Sequence, residues 1–242
     1  MKFISTRGGE KVSGAKAIVQ GLSANGGLYV PESFPAVSFA ELEEMLEMSY
    51  PERAARVLSK YLDGYNEQEI CAACEAAYSK FDDTDPAPLV KLDDGVYMLE
   101  LFHGPTCAFK DMALTVLPYL LRKGCDICGI KEEILVLVAT SGDTGKAALE
   151  GFKDADGVKI MVFYPNEGVS KMQKLQMCTQ EGANVNVVAV KGNFDDCQSA
   201  VKEIFASEEY AKILAENNVR LSSANSINFG RLAPQIAYYF SS

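Results

Sequence analysis

Between residues 39 and 81 apolar positions recur three and four apart, and this spacing predicts three helices. In 39–46 Leu42, Met45 and Leu46 fall on one face. Residues 51–62 open with Pro51 at a first-turn position, where its missing N–H leaves no bond unmade. Residues 66–81 set Ile70, Cys74, Ala77 and Phe81 at helical intervals. Ahead of these lies a turn-rich stretch, 24–32, in which Gly26 and Gly27 supply positive φ and Pro31 ends any strand. The polar segment 82–88 carries two prolines and reads as a linker, which places a boundary near residue 90.

Beyond it the pattern changes from helical periods to unbroken apolar runs. Residues 96–102 read as a strand, 103–106 as a turn, and 109–123 as a helix that Pro118 should kink. Residues 134–139 (Ile-Leu-Val-Leu-Val-Ala) have the composition of a strand buried on both faces of a parallel sheet, and 159–164 and 185–190 read the same way. Helices are predicted from near Lys146, over 170–181 and over 196–206. Residues 221–228 then lead into a last helix, 229–240, expected to show Leu232, Ile236, Tyr239 and Phe240 as apolar surface. Strands alternating with helices give an α/β domain with right-handed crossovers over 91–242, preceded by a small, mainly helical domain over 1–90.

The chain has 242 residues, 48% hydrophobic and 23% charged, which excludes disorder and is ample for a core without disulfides. Acidic residues outnumber basic ones by 33 to 23, for a net charge of −10. That balance argues against a nucleic-acid partner, yet permits an anionic small molecule where amides and a few cations reverse the field locally. No apolar run approaches the ~20 residues that span a bilayer, and the Met-Lys-Phe-Ile-Ser-Thr-Arg start lacks the core of a secretory signal, so a cytoplasmic location is expected. Seven cysteines fit reduced thiols. Two pairs have zinc-knuckle spacing, Cys71/Cys74 and Cys125/Cys128, but the first lies in a helical pattern where three-residue spacing puts both thiols on one face. The helical reading is preferred, and no metal is expected.

Ligands of such sheets bind outside the carboxyl ends of the strands, and two loops there carry polar groups. In Thr140-Ser141-Gly142-Asp143-Thr144-Gly145 small residues admit a ligand close to the backbone, and first-turn N–H groups suit a carboxylate or phosphate. An ordinary helix cap by Ser141, Asp143 or Thr144 is the plainer reading. In His103-Gly104-Pro105-Thr106-Cys107-Ala108-Phe109-Lys110-Asp111 a lysine follows a strand, a turn and an apolar stretch. Held there it would lose hydration and could act as a free amine in Schiff-base chemistry; paired with Asp111 or its neighbours it would be an ordinary solvated helix lysine. His103, the one histidine, reads as a structural tie. Asn228, Arg231 and Gln235 share a helical face, so Arg231 could grip a phosphate, with helix capping by Asn225 or Ser226 as the alternative.

Taken in order, Ser5-Thr6-Arg7-Gly8, Gly26 to Pro31, Glu100 to Thr106 with Ala108 to Asp111, Ala139 to Gly145 and Asn225 to Arg231 resemble the threonine synthase family. These are pyridoxal-phosphate enzymes of the tryptophan-synthase-β type of fold. The resemblance implies pyridoxal 5′-phosphate as cofactor, held by Lys110 as an internal aldimine, with Ser141, Gly142, Asp143 and Thr144 bordering it. It implies O-phospho-L-homoserine as substrate, with threonine and phosphate as products. Ser141 and Thr144 would then face the substrate carboxylate, and Asn225 and Arg231 its phosphate. Cys107 stands where an aliphatic residue is expected. The family's glycine-rich loop for the cofactor phosphate has no counterpart before Ser242, because Gly192-Asn193-Phe194-Asp195 lacks its second glycine and follows the wrong strand. The chain is thus expected to be an N-terminal portion, with the remaining half, or a second copy, covering 229–240. A threonine or serine dehydratase and a catalytically inactive assembly module are the alternative readings.

Overall fold

The computed structural model describes residues Met1–Ser242, and its first strands are too short to display a period. β1 (Lys2–Ser5) turns Phe3 and Ser5 inward and pairs antiparallel with β2 (Val12–Ser13) on one side and β3 (Tyr29–Pro31) on the other. α1 (Gly14–Gln20) begins at Ser13, whose hydroxyl accepts the Lys16 N–H, and buries Ile18 and Val19. None of these elements is predicted from the periodicity.

The three expected helices form. α2 (Phe39–Leu46) starts in a Ser38–Glu41 capping box, but of its predicted face only Met45 is buried, while Leu46 lies in solvent. α3 (Tyr50–Ser59) holds Pro51 in its first turn and stops three residues before the expected end. α4 (Glu67–Tyr78) buries Ile70, Cys74 and Ala77, and Phe81 packs beneath the chain just after it.

The expected strand 96–102 shortens to β5 (Val96–Leu99), the second arm of a hairpin with β4 (Leu89–Asp93), turning at Gly95 with φ +74°. The single kinked helix over 109–123 is instead two, α5 (Asp111–Leu114) and α6 (Leu117–Cys128). Pro118 explains the division: its ring would strike the carbonyl four residues back, at Leu114, whereas in the first turn of a new helix it meets nothing.

β6 (Glu133–Ala139), β7 (Val158–Pro165), β8 (Val185–Val190) and β9 (Val219–Ser223) form a wholly parallel sheet in the order β8-β7-β6-β9. Along β6, Ile134, Val136 and Val138 join the main core, while Leu137 and Ala139 pack with Cys197 and Val201 on the other face. β8 corrects the expectation of burial on both faces: it is an edge strand with half-exposed side chains. α7 (Asp143–Phe152) begins three residues before Lys146, and α8 (Lys171–Cys178) is shorter than predicted. α9 (Phe194–Ala206) begins at Asn193, whose side chain accepts the Asp195 and Asp196 N–H groups, so Gly192–Asp195 serves as a helix start. α10 (Glu208–Glu216) and β9 are absent from the prediction.

The last expected helix is α11 (Phe229–Ile236), with Pro234 inside it, continued by a 3-10 turn (Ala237–Phe240). Leu232 and Tyr239 are exposed as anticipated, whereas Ile236 and Phe240 pack against the core. That core crosses residue 90 without a break: Phe3 meets Phe229 at 4.6 Å between ring centres, and the Tyr78 hydroxyl donates to the Met112 carbonyl at 2.9 Å. No helix is long and apolar enough to cross a membrane.

Candidate active site

The approach to Lys110 is pinned before the chain reaches it. His103 presents Nδ1 to Asp82 at 2.7 Å and Nε2 to Glu100 at 2.8 Å, the structural tie expected of it. The chain then folds back on Asp111, whose carboxylate accepts the Thr106 N–H at 2.8 Å and hydroxyl at 2.6 Å. Gly104 has to be glycine, because a Cβ there would lie 2.4 Å from that of Asp111. Cys107 adopts φ +55°, a left-handed conformation uncommon for a residue with a side chain.

Lys110 emerges at the head of α5 with its side chain 19% exposed. Its Nζ lies 4.4 Å from the centre of the Phe109 ring and 3.6 Å from Asp143 Oδ2, across the cleft on α7. The alternative pairing with Asp111 does not occur, since that carboxylate is 1% exposed and turned to Thr106. Burial pushes the Asp111 carboxyl upward, against the hydrogen bonds from Thr106 that favour its ionised form.

The loop between β6 and α7 is organised from beneath by Thr140. Its buried hydroxyl accepts the N–H groups of Gly142 and Gly145, both at 2.9 Å. Capping by Ser141, Asp143 or Thr144 is therefore replaced, and the N–H groups of Ser141, Asp143 and Thr144 donate to no protein acceptor. A Cβ on Gly142 would come within 2.5 Å of Gln173, which crosses from α8 to donate to Asp143 at 2.7 Å. Burial raises the Asp143 pKa, but the Gln173 bond and then the charges of Lys110 and Lys146 outweigh it, holding the carboxyl below its ordinary value. The charge that would repel an anionic ligand is thus paired.

The third cluster is only partly assembled as the spacing suggests. Asn228 turns away from the cleft to donate to the Ile18 and Ser223 carbonyls, and it caps α11. Asn225 grips the end of β6 through both Ala139 backbone groups, at 3.1 and 2.8 Å. Arg231 reaches the site: its guanidinium carbon lies 6.0 Å from the centre of the Phe109 ring, the ring that also meets Lys110. It is 4% exposed, and the one hydrogen bond of its side chain goes to the neutral Gln235 side chain. Burial pushes this guanidinium down to about 10, against the field of Tyr238 and Asp111. A buried cation without a carboxylate partner is disposed to accept an anion.

An amine, three unpartnered N–H groups and a buried guanidinium suit a ligand with both a carbonyl and anionic groups. Phe109, Gln173 and Lys146 belong to the arrangement although the sequence does not single them out. Lys146 alone left a signal, lying three residues from Asp143 on one helical face. A recess of about 300 Å3 lies behind the turn, lined by Pro105, Thr106, Lys146 and Glu150 among other polar residues.

Residues 2–78 match the family described as threonine synthase N terminus, and residues 80–237 that described as pyridoxal-phosphate dependent enzyme. The threonine synthase of Pseudomonas aeruginosa is 40% identical over 242 residues, covering 99% of this chain and 50% of that protein. That of Escherichia coli is 41% identical over 231 residues, covering 96% and 51%. Among solved structures, PLP-bound threonine synthase from Brucella melitensis superposes with a TM-score of 0.88 at 37% identity, covering 100% of this chain and 51% of that one. The Escherichia coli enzyme gives 0.86 at 38% identity, covering 100% and 54%. The chain spans about half the length of the curated relatives it matches.

Proposed function

This chain belongs to the pyridoxal-phosphate dependent enzyme family, and on that footing we propose that it anchors the cofactor of a threonine synthase and acts on O-phospho-L-homoserine. The reading is carried by the Lys110 amine, shielded by Phe109 and facing a loop of unpartnered N–H groups with Asp143 3.6 Å away. Lys110 would hold pyridoxal phosphate covalently, and its amine, once displaced, would carry protons at the substrate Cα and Cβ. When bound, the cofactor ring supplies an electron sink for charge developing on the substrate.

Ser141, Gly142 and Thr144 would hold the substrate carboxylate through backbone N–H and hydroxyl groups while bordering the cofactor, as would Asp143. Arg231 would grip the substrate phosphate with the face of its guanidinium that Gln235 leaves free. Asn225, already bonded to Ala139, would fix the cleft floor beside that phosphate. The acidic balance favours a small-molecule ligand over nucleic acid. A cytoplasmic setting away from the membrane is part of the same reading, and no helix is long and apolar enough to cross one. A second polypeptide segment, or another copy, would cover Leu232 and Tyr239. The two-part organisation about residue 90 is retained as a functional division.

The test is to mix the 242-residue chain with pyridoxal phosphate, reduce with borohydride and map the adduct by peptide mass. We expect one dominant adduct on Lys110, lost in Lys110→Ala. An adduct spread over surface lysines and unchanged in that variant overturns the reading. Formation of 2-oxobutanoate from threonine, without phosphate release from O-phospho-L-homoserine, would favour a dehydratase instead.

A further inference from the structure

Thr106 is held through all of its polar groups. Its N–H and hydroxyl donate to Asp111, and its carbonyl accepts from the Lys146 ammonium. Lys146 is 8% exposed and its ammonium makes no other hydrogen bond, so a charge has been taken out of water to meet one carbonyl. That is unfavourable unless charges of opposite sign lie close by. They do: the fields of both Asp111 and Asp143 include Lys146. These carboxylates flank Lys110, one beside it in sequence and one across the cleft. Asp143 and Lys146 lie one turn apart on α7, so a single helical face touches the lysine side chain at one point and its supporting loop at another.

We propose that Lys146 is a positioning residue for Lys110: it ties the Thr106 loop to α7 and is the counter-charge shared by Asp111 and Asp143, leaving the Lys110 amine free to react. The inference rests on reading Lys110 as the reactive amine, but not on the identity of the cofactor. The charged groups around this point are Asp111 on α5, Asp143 and Lys146 on α7, Lys110 itself, and Arg231 on α11, whose field includes Asp111. Without Lys146, Lys110 is the remaining cation whose charge acts on Asp143, and the carboxylate holds it more strongly.

Competitive labelling with acetic anhydride near neutral pH, without cofactor, reads this directly. In Lys146→Met, labelling of Lys110 relative to the other lysines should fall by about tenfold, because the removed charge no longer competes for Asp143. Lys146→Gln keeps a donor for the Thr106 carbonyl but not the charge, and should slow the labelling likewise even if Lys146→Met fails to fold. Lys146→Arg should return the rate close to that of the parent protein. A loop prop without an electrostatic role would be restored by Lys146→Gln, which overturns the proposal. Parental rates in folded Lys146→Met overturn it as well. Failure of borohydride trapping on Lys110 overturns the cofactor reading and leaves this one standing.

Discussion

At the scale of single residues, Thr140 organises the loop at the end of β6. Its hydroxyl takes the Gly142 and Gly145 N–H groups, while those of Ser141, Asp143 and Thr144 donate to no protein acceptor. Thr140→Val keeps the shape and strands the buried Gly142 donor, leaving Gly145 its bond to the Gly142 carbonyl alone. We expect a loss of about 1–3 kcal/mol, seen as a lower urea midpoint at unchanged slope, together with loss of the Lys110 adduct. The thiols behave differently. Cys74 is pushed up to about 12 and Cys125 to about 11, chiefly by burial, as befits apolar packing in α4 and α6.

Among the elements, legibility followed burial. β6 and β7 are apolar on both faces because helices cover both, and their runs announce them. β8 has the same composition at an edge, so its exposure could not be read from apolarity alone. β9 hides because three of the five residues in Val219–Ser223 are polar: Ser222 is buried in a tight approach to Gly21, and Ser223 bonds to the Leu137 carbonyl. Of the site, Lys110 and the 141–144 turn were legible because their chemistry is local. Gln173 on Asp143 was not, since it depends on how α8 crosses the loop.

The tie between β5 and the segment after α4 should respond to pH. His103 points each ring nitrogen at a carboxylate, a geometry that needs both nitrogens protonated. Glu100 first, then Asp82, raise its pKa, with Asp83 adding to the field. Because the folded value lies above the unfolded ~6.5, the stabilisation is complete below that pH and is lost as pH climbs through the folded value. As the chain's one histidine, His103 gives a single imidazole titration by NMR. Its midpoint should exceed that of the urea-unfolded chain, and protection of the Asp82 N–H, bonded to the His103 carbonyl at 3.0 Å, should decline above it. An unshifted midpoint would contradict the clamp.

For the molecule as a whole, the β4–β5 hairpin stands apart from the core. Leu92, Val96 and Tyr97 are each more than half exposed, at 59%, 51% and 55%. Both arms have free edges, which makes the hairpin the region of this fold most open to pairing with another strand.

Asn228 ties together parts of the chain that are distant in sequence. Its amide reaches back 210 positions to the Ile18 carbonyl, and β6 gains its β9 partner only after two intervening strands and their helices. Closures this long are reached late, since chain entropy must be overcome before the contact forms. During synthesis α1 is therefore made early but waits for α11 to lock it. Pulsed hydrogen exchange during refolding should show α3 and α4 protected before α1, with Asn228→Ala slowing the last phase. A nascent chain of this fold would thus expose the apolar face of α1, with Ile18 and Val19, to chaperones and proteases until translation has passed Asn228.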